Sequence, residues 1–132
     1  MAKTTQLTLK LLNTTFAIHR LPANSSLPTK ILSEPYYFIA KTADELSLVL
    51  PQTVCIDSHK VEKNWQALMV IGPLDFSLTG ILAKIATLLA QEEISIFALS
   101  TFDTDFILIK SNKIEQAINV LKNKQYKIIK EM

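Results

Sequence analysis

The sequence predicts an α+β fold of two related units in βαββαβ order, the first degenerate, with antiparallel sheets and helices on one face. Three observations carry this expectation. Residues 65–110, W-Q-A-L-M-V-I-G-P-L-D-F-S-L-T-G-I-L-A-K-I-A-T-L-L-A-Q-E-E-I-S-I-F-A-L-S-T-F-D-T-D-F-I-L-I-K, read as strand, turn, amphipathic helix and two strands. A second amphipathic helix and a closing strand follow. Finally, Y-F-I-A-K-T-A-D-E-L-S-L-V-L in the amino-terminal half echoes I-F-A-L-S-T-F-D-T-D-F-I-L-I in the carboxy-terminal half; each is a strand, a threonine, an acidic turn and a strand. Coincidence among short apolar strands would produce the same echo.

In chain order, Leu7–Leu12 and Phe16–Leu21 suit strands on either side of Asn13-Thr14. Residues 22–35 hold three prolines and several serines, so any helix there is short. Tyr36–Ala40 and Leu46–Leu50 form a second apolar strand pair. Gln52–Lys63, with Asp57, His59, Lys60, Glu62 and Lys63, reads as a polar linker. Gln66–Ile71 is a strand ended by Gly72-Pro73, because proline donates nothing to a ladder. Ser77 or Thr79 caps the next helix, whose Leu78, Ile81, Leu82, Ile85, Leu88 and Leu89 recur at three and four and so share a face. That face must cover a sheet. Ile94–Leu99 and Phe106–Ile109 suit a pleated surface and are joined by the polar tip Thr101-Phe102-Asp103-Thr104-Asp105. Asn112 and Glu115 have capping-box spacing, Ile114, Ala117, Ile118 and Leu121 supply a second apolar stripe, and Tyr126–Ile129 closes the order.

Composition narrows the function. Fourteen basic residues against twelve acidic ones, a formal charge of +2, are too balanced for a duplex-binding surface, so nucleic acid is not an expected partner. The lone cysteine, Cys55, excludes an intrachain disulfide, and no Cys/His grouping has zinc spacing. No run of about 18 uncharged apolar residues occurs, so no membrane span is expected. These features fit a cytoplasmic chain.

The strand-to-helix joint Gly72–Gly80 offers free amides and a positive dipole end to an anion such as a carboxylate, and Asp75 could pair with an ammonium. Together they suit an amino-acid zwitterion. The plainer reading is that Gly80 lets helix and sheet approach while Asp75 stabilises the helix start. The tip places Asp103 and Asp105 with the hydroxyls of Ser100, Thr101 and Thr104 around Phe102, more polar groups than a minimal turn needs. No nucleophile, base and orienter can be assembled, so catalysis is not expected, nor is a metal or cofactor. Cys55, beside Val54 and Ile56, reads as a small core residue, and His19 as structural. Tyr36, Tyr37 and Phe38 read as packing residues, because the basic glycine-aromatic motif of an RNA-binding sheet is missing.

L-D-F-S-L-T-G-I-L-A-K-I-A-T-L-L-A-Q-E-E-I-S-I-F-A-L-S resembles the signature of the ACT domain, a ferredoxin-like βαββαβ module that usually binds amino acids between copies. W-Q-A-L, D-E-L-S-L-V and S-T-F-D-T-D are similar to bacterial ACT-domain proteins related to the cytosolic arginine sensors called CASTOR. The likeness is strong over residues 65–123 and loose over 16–50. It implies a degenerate ACT-like unit at 1–62, an ACT domain at 63–132, and a ligand held between equivalent units of a homodimer. Carried over by motif, Ser95 and Ile96 line one wall; Asp75, Gly80, Ile81, Thr101, Phe102, Thr104 and Asp105 line the other. Glu93 stands where ACT domains commonly have glycine, and Thr79 where proline is usual.

The expectation is therefore a non-catalytic regulator that binds a free amino acid, arginine or another small one, at an ACT–ACT interface. The alternative is a dimerisation or protein-interaction module of the same fold without a ligand.

Overall fold

A computed structural model of the chain describes residues 7–71 and 80–132. Among the described residues seven strands, β1 (Thr8–Leu21), β2 (Phe38–Lys41), β3 (Leu46–Pro51), β4 (Lys60–Val70), β5 (Phe97–Ser100), β6 (Asp105–Lys110) and β7 (Lys127–Lys130), are joined by helices α1 (Ile81–Gln91) and α2 (Ile114–Asn123) and a 3-10 turn, Thr29–Ser33. Contacts divide the chain into a first unit, Thr14–Trp65, and a second unit of the described residues up to Asn13 and from Gln66 onward. Strands β1 and β4 contribute residues to both.

The first unit orders its strands β2-β3-β1-β4. β1 and β3 are antiparallel, with Leu21 opposite Leu46, His19 opposite Leu48 and Ala17 opposite Leu50. Opposed residues share a face, and on this face Leu21, Leu46, Leu48 and Leu50 bury themselves around Ile31 of the 3-10 turn. On the alternate positions the Phe16 ring meets Tyr36 and Phe38 edge-on, at 6.4 and 6.5 Å between centroids, a favoured aromatic geometry. The two amino-terminal strands expected around Asn13-Thr14 are one continuous strand. Asn13 stays in it because its amide donates to the Glu131 carboxylate at 2.8 Å, and pairing passes from β7 at Thr8–Leu11 to β3 at Phe16–Leu21.

The expected linker is shorter than its polarity suggests, because Lys60–Lys63 belongs to β4. Gln52 and Asn64 brace the stretch between: the Asn64 amide donates to Gln52 Oε1 at 2.6 Å and Gln52 Nε2 to Asn64 Oδ1 at 3.1 Å. Cys55 is exposed, against the expectation of a core residue. Val54 and Ile56 turn inward onto the first unit's core, and the alternation sends Cys55 out.

The second unit orders its strands β5-β6-β4-β1, with β7 running parallel to β1. The first strand of the chain thus sits between the first and last strands of the βαββαβ order. Strand residues Leu9, Leu68, Val70, Ile107 and Ile109 and helix residues Ile85, Leu89, Ile114, Ala117, Ile118 and Leu121 form one buried cluster, so both helices cover the same face. Their apolar stripes behave as their spacing requires. The capping signals do not. The N-cap of α1 is Gly80, at φ 78 and without a side-chain bond; Ser77, Thr79 and the rest of 72–79 lie outside the described residues. α2 starts one residue later than Asn112 predicts, with Lys113 as an N-cap that makes no side-chain bond. A preceding turn, Lys113 amide to Lys110 carbonyl at 2.9 Å, already supplies the entry geometry. At the other end of α1, Glu93 takes the left-handed conformation, φ 58, so the position is held in a glycine-type geometry.

Candidate functional site

The β5–β6 hairpin builds the site. Phe97 pairs with Leu108, Leu99 with Phe106 and Ser100 with Asp105, which leaves a tip of four residues, 101–104. The Thr101 amide donates to the Thr104 carbonyl at 2.8 Å. The Thr101 hydroxyl accepts from the Thr104 amide and donates to the Thr104 carbonyl, both at 3.2 Å. This is the short-range side-chain bonding that turns favour. The Thr104 hydroxyl donates to the Val70 carbonyl, tying the tip to the end of β4. Thr104 is accordingly buried, only 6% exposed.

Phe102 is 81% exposed, an unusual position for an aromatic ring on a tightly bonded turn. Asp105 is half-buried and accepts a 2.6 Å hydrogen bond from the Ser100 hydroxyl on Oδ1. A carboxylate fixed in this way is an acceptor for ammonium or guanidinium donors. Asp103 is exposed.

Of the residues that the sequence singles out, Thr101, Phe102, Thr104 and Asp105 come together at this tip. Gly80 and Ile81 sit at the start of α1, and Ile81 is half-buried against the second unit's core. Gly80 has open space where a side chain would project, with nothing within 4 Å, but its positive φ disfavours one. Ser95 and Ile96 precede β5 by two residues and one. At about 3.3 Å per extended residue, Ser95 lies roughly 16 Å from Ser100 along the chain. Ser95 is exposed and Ile96 packs partly on the core. Within one chain the two expected walls are therefore at opposite ends of β5. Asp75 lies outside the described residues. Ser100 is the residue that the list of expected ligand contacts omits, and its signal was the serine directly before the threonine of the tip.

His19, buried on the first unit's core face, has Nδ1 at 2.8 Å from the Ser58 hydroxyl, and Nε2 is buried with no hydrogen-bond partner. Burial, and then the charge of Lys63, hold its pKa below the ordinary 6.5. Burial likewise raises the Tyr126 pKa. Among the described residues no group of three His, Cys, Asp or Glu could hold a metal ion, and no helix is long and apolar enough to cross a membrane.

An antiparallel hairpin and two helices on one sheet face, with a polar tip carrying a fixed carboxylate, define an α+β module of the ACT type. Comparison with known proteins agrees. The model of the ACT domain matches residues 60–123. The cytosolic arginine sensor for mTORC1 subunit 1 of Mus musculus is 33% identical over 107 residues, 79% of this chain and 32% of the sensor. The same-named protein of Pongo abelii is 32% identical over 126 residues, 87% and 38% of the two chains. The chain thus spans about a third of the length of these curated relatives. The crystal structure of protein Atu0741 from Agobacterium tumefaciens superposes with a TM-score of 0.87 at 32% identity, covering 98% of this chain and 96% of that one. The chain belongs to the ACT-domain proteins and is related to the cytosolic arginine sensors.

Proposed function

We infer that the chain is a non-catalytic regulatory protein that binds a free amino acid, with the ligand held at an ACT–ACT interface of a homodimer. The observation that carries this reading is the Asp105 carboxylate, fixed by Ser100 at the edge of a bonded, aromatic-bearing tip. Asp105 takes the ligand's α-ammonium or a basic side chain, a charge-assisted pairing that is among the strongest orienting interactions in such a site. Phe102 supplies an apolar wall. Ser95 and Ile96, at the far end of β5, reach the same ligand from the partner copy, which is how two distant walls become one pocket in an isologous dimer. Arginine is the first candidate, because the related sensors are named for it.

Within this reading, residues 63–132 are the ACT domain and residues 1–62 a degenerate ACT-like unit. The protein works in the cytoplasm. Ligand spanning two subunits favours the associated state by mass action, so binding doubles as a dimer signal. Phe102 is 81% exposed, which favours a ligand-binding tip over one plugged by that ring.

Thermal-shift screening of every common amino acid against wild type and Asp105→Ala tests the proposal. At least one amino acid stabilises the wild type, and the mutant loses that shift. No shift with any amino acid, or a shift that survives in Asp105→Ala, contradicts it.

A further inference from the structure

The two hairpins of this chain form an internal comparison. In β2–β3, Phe38 pairs with Val49 and Lys41 with Leu46; in β5–β6, Phe97 pairs with Leu108 and Ser100 with Asp105. The intervals agree, so every position in one tip has a counterpart in the other. The turn bonds agree too. The Thr42 amide donates to the Glu45 carbonyl at 2.9 Å, and the Thr42 hydroxyl accepts from the Glu45 amide at 3.2 Å. Thr101 and Thr104 do the same at 2.8 and 3.2 Å. A threonine present in both tips with both bonds is accounted for by the turn, whose amides its hydroxyl satisfies.

The residues that close each ladder differ as a pair. Lys41 and Leu46 occupy the places of Ser100 and Asp105. Directly opposed residues project from one face, and at this pair the Ser100 hydroxyl reaches Asp105 Oδ1 at 2.6 Å. A bond of this length to a carboxylate is of the charge-assisted kind. It restrains the carboxylate's rotation and so aims the other oxygen. Where the carboxylate is absent, at Leu46, the serine is absent as well. The β2–β3 tip has a serine–carboxylate bond of its own, Ser47 hydroxyl to Glu45 Oε1 at 2.7 Å, but between neighbours at one strand end; the hydroxyl that reaches across the closing pair goes with the carboxylate at Asp105 and not with the turn.

We propose that Ser100 is a positioning residue that holds the Asp105 carboxylate in place for a cationic group of the ligand, while Thr101 serves the turn alone. This rests on the reading of the tip as an amino-acid site. It moves Thr101 out of the recognition set and brings Ser100 in. It also makes the β2–β3 tip, with Leu46 in the acidic position, silent toward the same ligand.

Titration calorimetry of the full chain with each common amino acid in turn provides the test. For the amino acid that binds wild type, Ser100→Ala weakens binding about tenfold, the loss of one hydrogen bond to a charged group, and leaves the melting temperature unchanged. Ser100→Thr keeps a hydroxyl and restores affinity. Thr101→Val lowers the melting temperature and leaves the dissociation constant as it was. If Asp105→Asn abolishes binding but Ser100→Ala binds as wild type does, the positioning role is overturned while the site stands. If Thr101→Val loses binding without losing stability, the division of labour is overturned. A wild type that binds no amino acid removes the site and this inference together.

Discussion

The Ile94 amide donates to the Leu89 carbonyl at 3.0 Å, and both side chains are buried in the same core cluster. With the Glu93 amide on the Ala90 carbonyl at 2.9 Å, this is a Schellman closure, in which the residue between must adopt the left-handed conformation. Helix α2 ends in the same way: Tyr126 bonds Leu121 at 3.0 Å, Gln125 bonds Lys122 at 3.0 Å, and Gln125 has φ 71. Neither left-handed residue is glycine. The buried partners Ile94 and Tyr126 hold the closures shut and offset the cost.

That cost is recoverable. Left-handed backbone costs a residue with a Cβ roughly 1–2 kcal/mol, part of which glycine returns as unfolded-state entropy. Glu93→Gly therefore stabilises the fold by about 0.5–1 kcal/mol. Denaturant unfolding shows this as a higher midpoint at unchanged slope; a lower midpoint contradicts the account.

The Thr104 hydroxyl is the donor to a buried Val70 carbonyl. Thr104→Val keeps shape and removes that buried hydrogen bond to the carbonyl, at a cost of about 1–3 kcal/mol. Thr104→Ser loses less than Thr104→Val, because it keeps the hydroxyl. Equal losses in the two variants would mean that the methyl group, and not the bond, matters.

His19 makes stability fall on acidification. Its folded pKa lies below 6.5, first through burial and then through Lys63, so the unfolded chain takes up the proton first. Stability is complete above about pH 6.5, declines as pH falls through that value, and levels off once the folded state is protonated too. The imidazolium carries a proton on both ring nitrogens, one of them Nε2, which is buried without a hydrogen-bond partner among the described residues. Melting temperatures measured from neutral to mildly acidic pH show the decline, and His19→Gln flattens it. A curve as steep in that variant assigns the effect to other groups.

Phe102, 81% exposed, contributes little to folding. Phe102→Ala changes unfolding free energy by less than about 0.5 kcal/mol, yet weakens amino-acid binding under the proposed function. A large loss of stability in this variant would mean that the ring packs against the fold and not against a ligand.

How much of this was legible follows from which forces are local. The apolar stripes of α1 and α2 and the continuous apolar run of β6 are encoded within a few residues, and they appear where the sequence places them. Caps were legible only as motifs. Asn112 and Glu115 fit a capping box, but the turn at Lys110–Lys113 made it unnecessary. Cys55 was misjudged because its apolar neighbours suggested a buried run, while the backbone alternated. The continuity of β1 through Asn13 depends on Glu131, at the far end of the sequence, and no local pattern reports such a partner. At the tip, the acidic and hydroxyl residues were visible as a group; that Thr104 points inward to Val70 while Asp105 is met by Ser100 needed the register.

The pairing of β1 with β7 has a consequence for biosynthesis. Thr8–Leu11 must await Lys127–Lys130 before both of its edges are covered, so the second unit cannot be completed until nearly all of these residues have left the ribosome. Contacts so distant in sequence slow folding and leave strand edges open to the wrong partner meanwhile. A released chain truncated before residue 127 should accordingly recruit chaperones and stay protease-sensitive, whereas one that includes Lys127–Lys130 reaches a protease-resistant form.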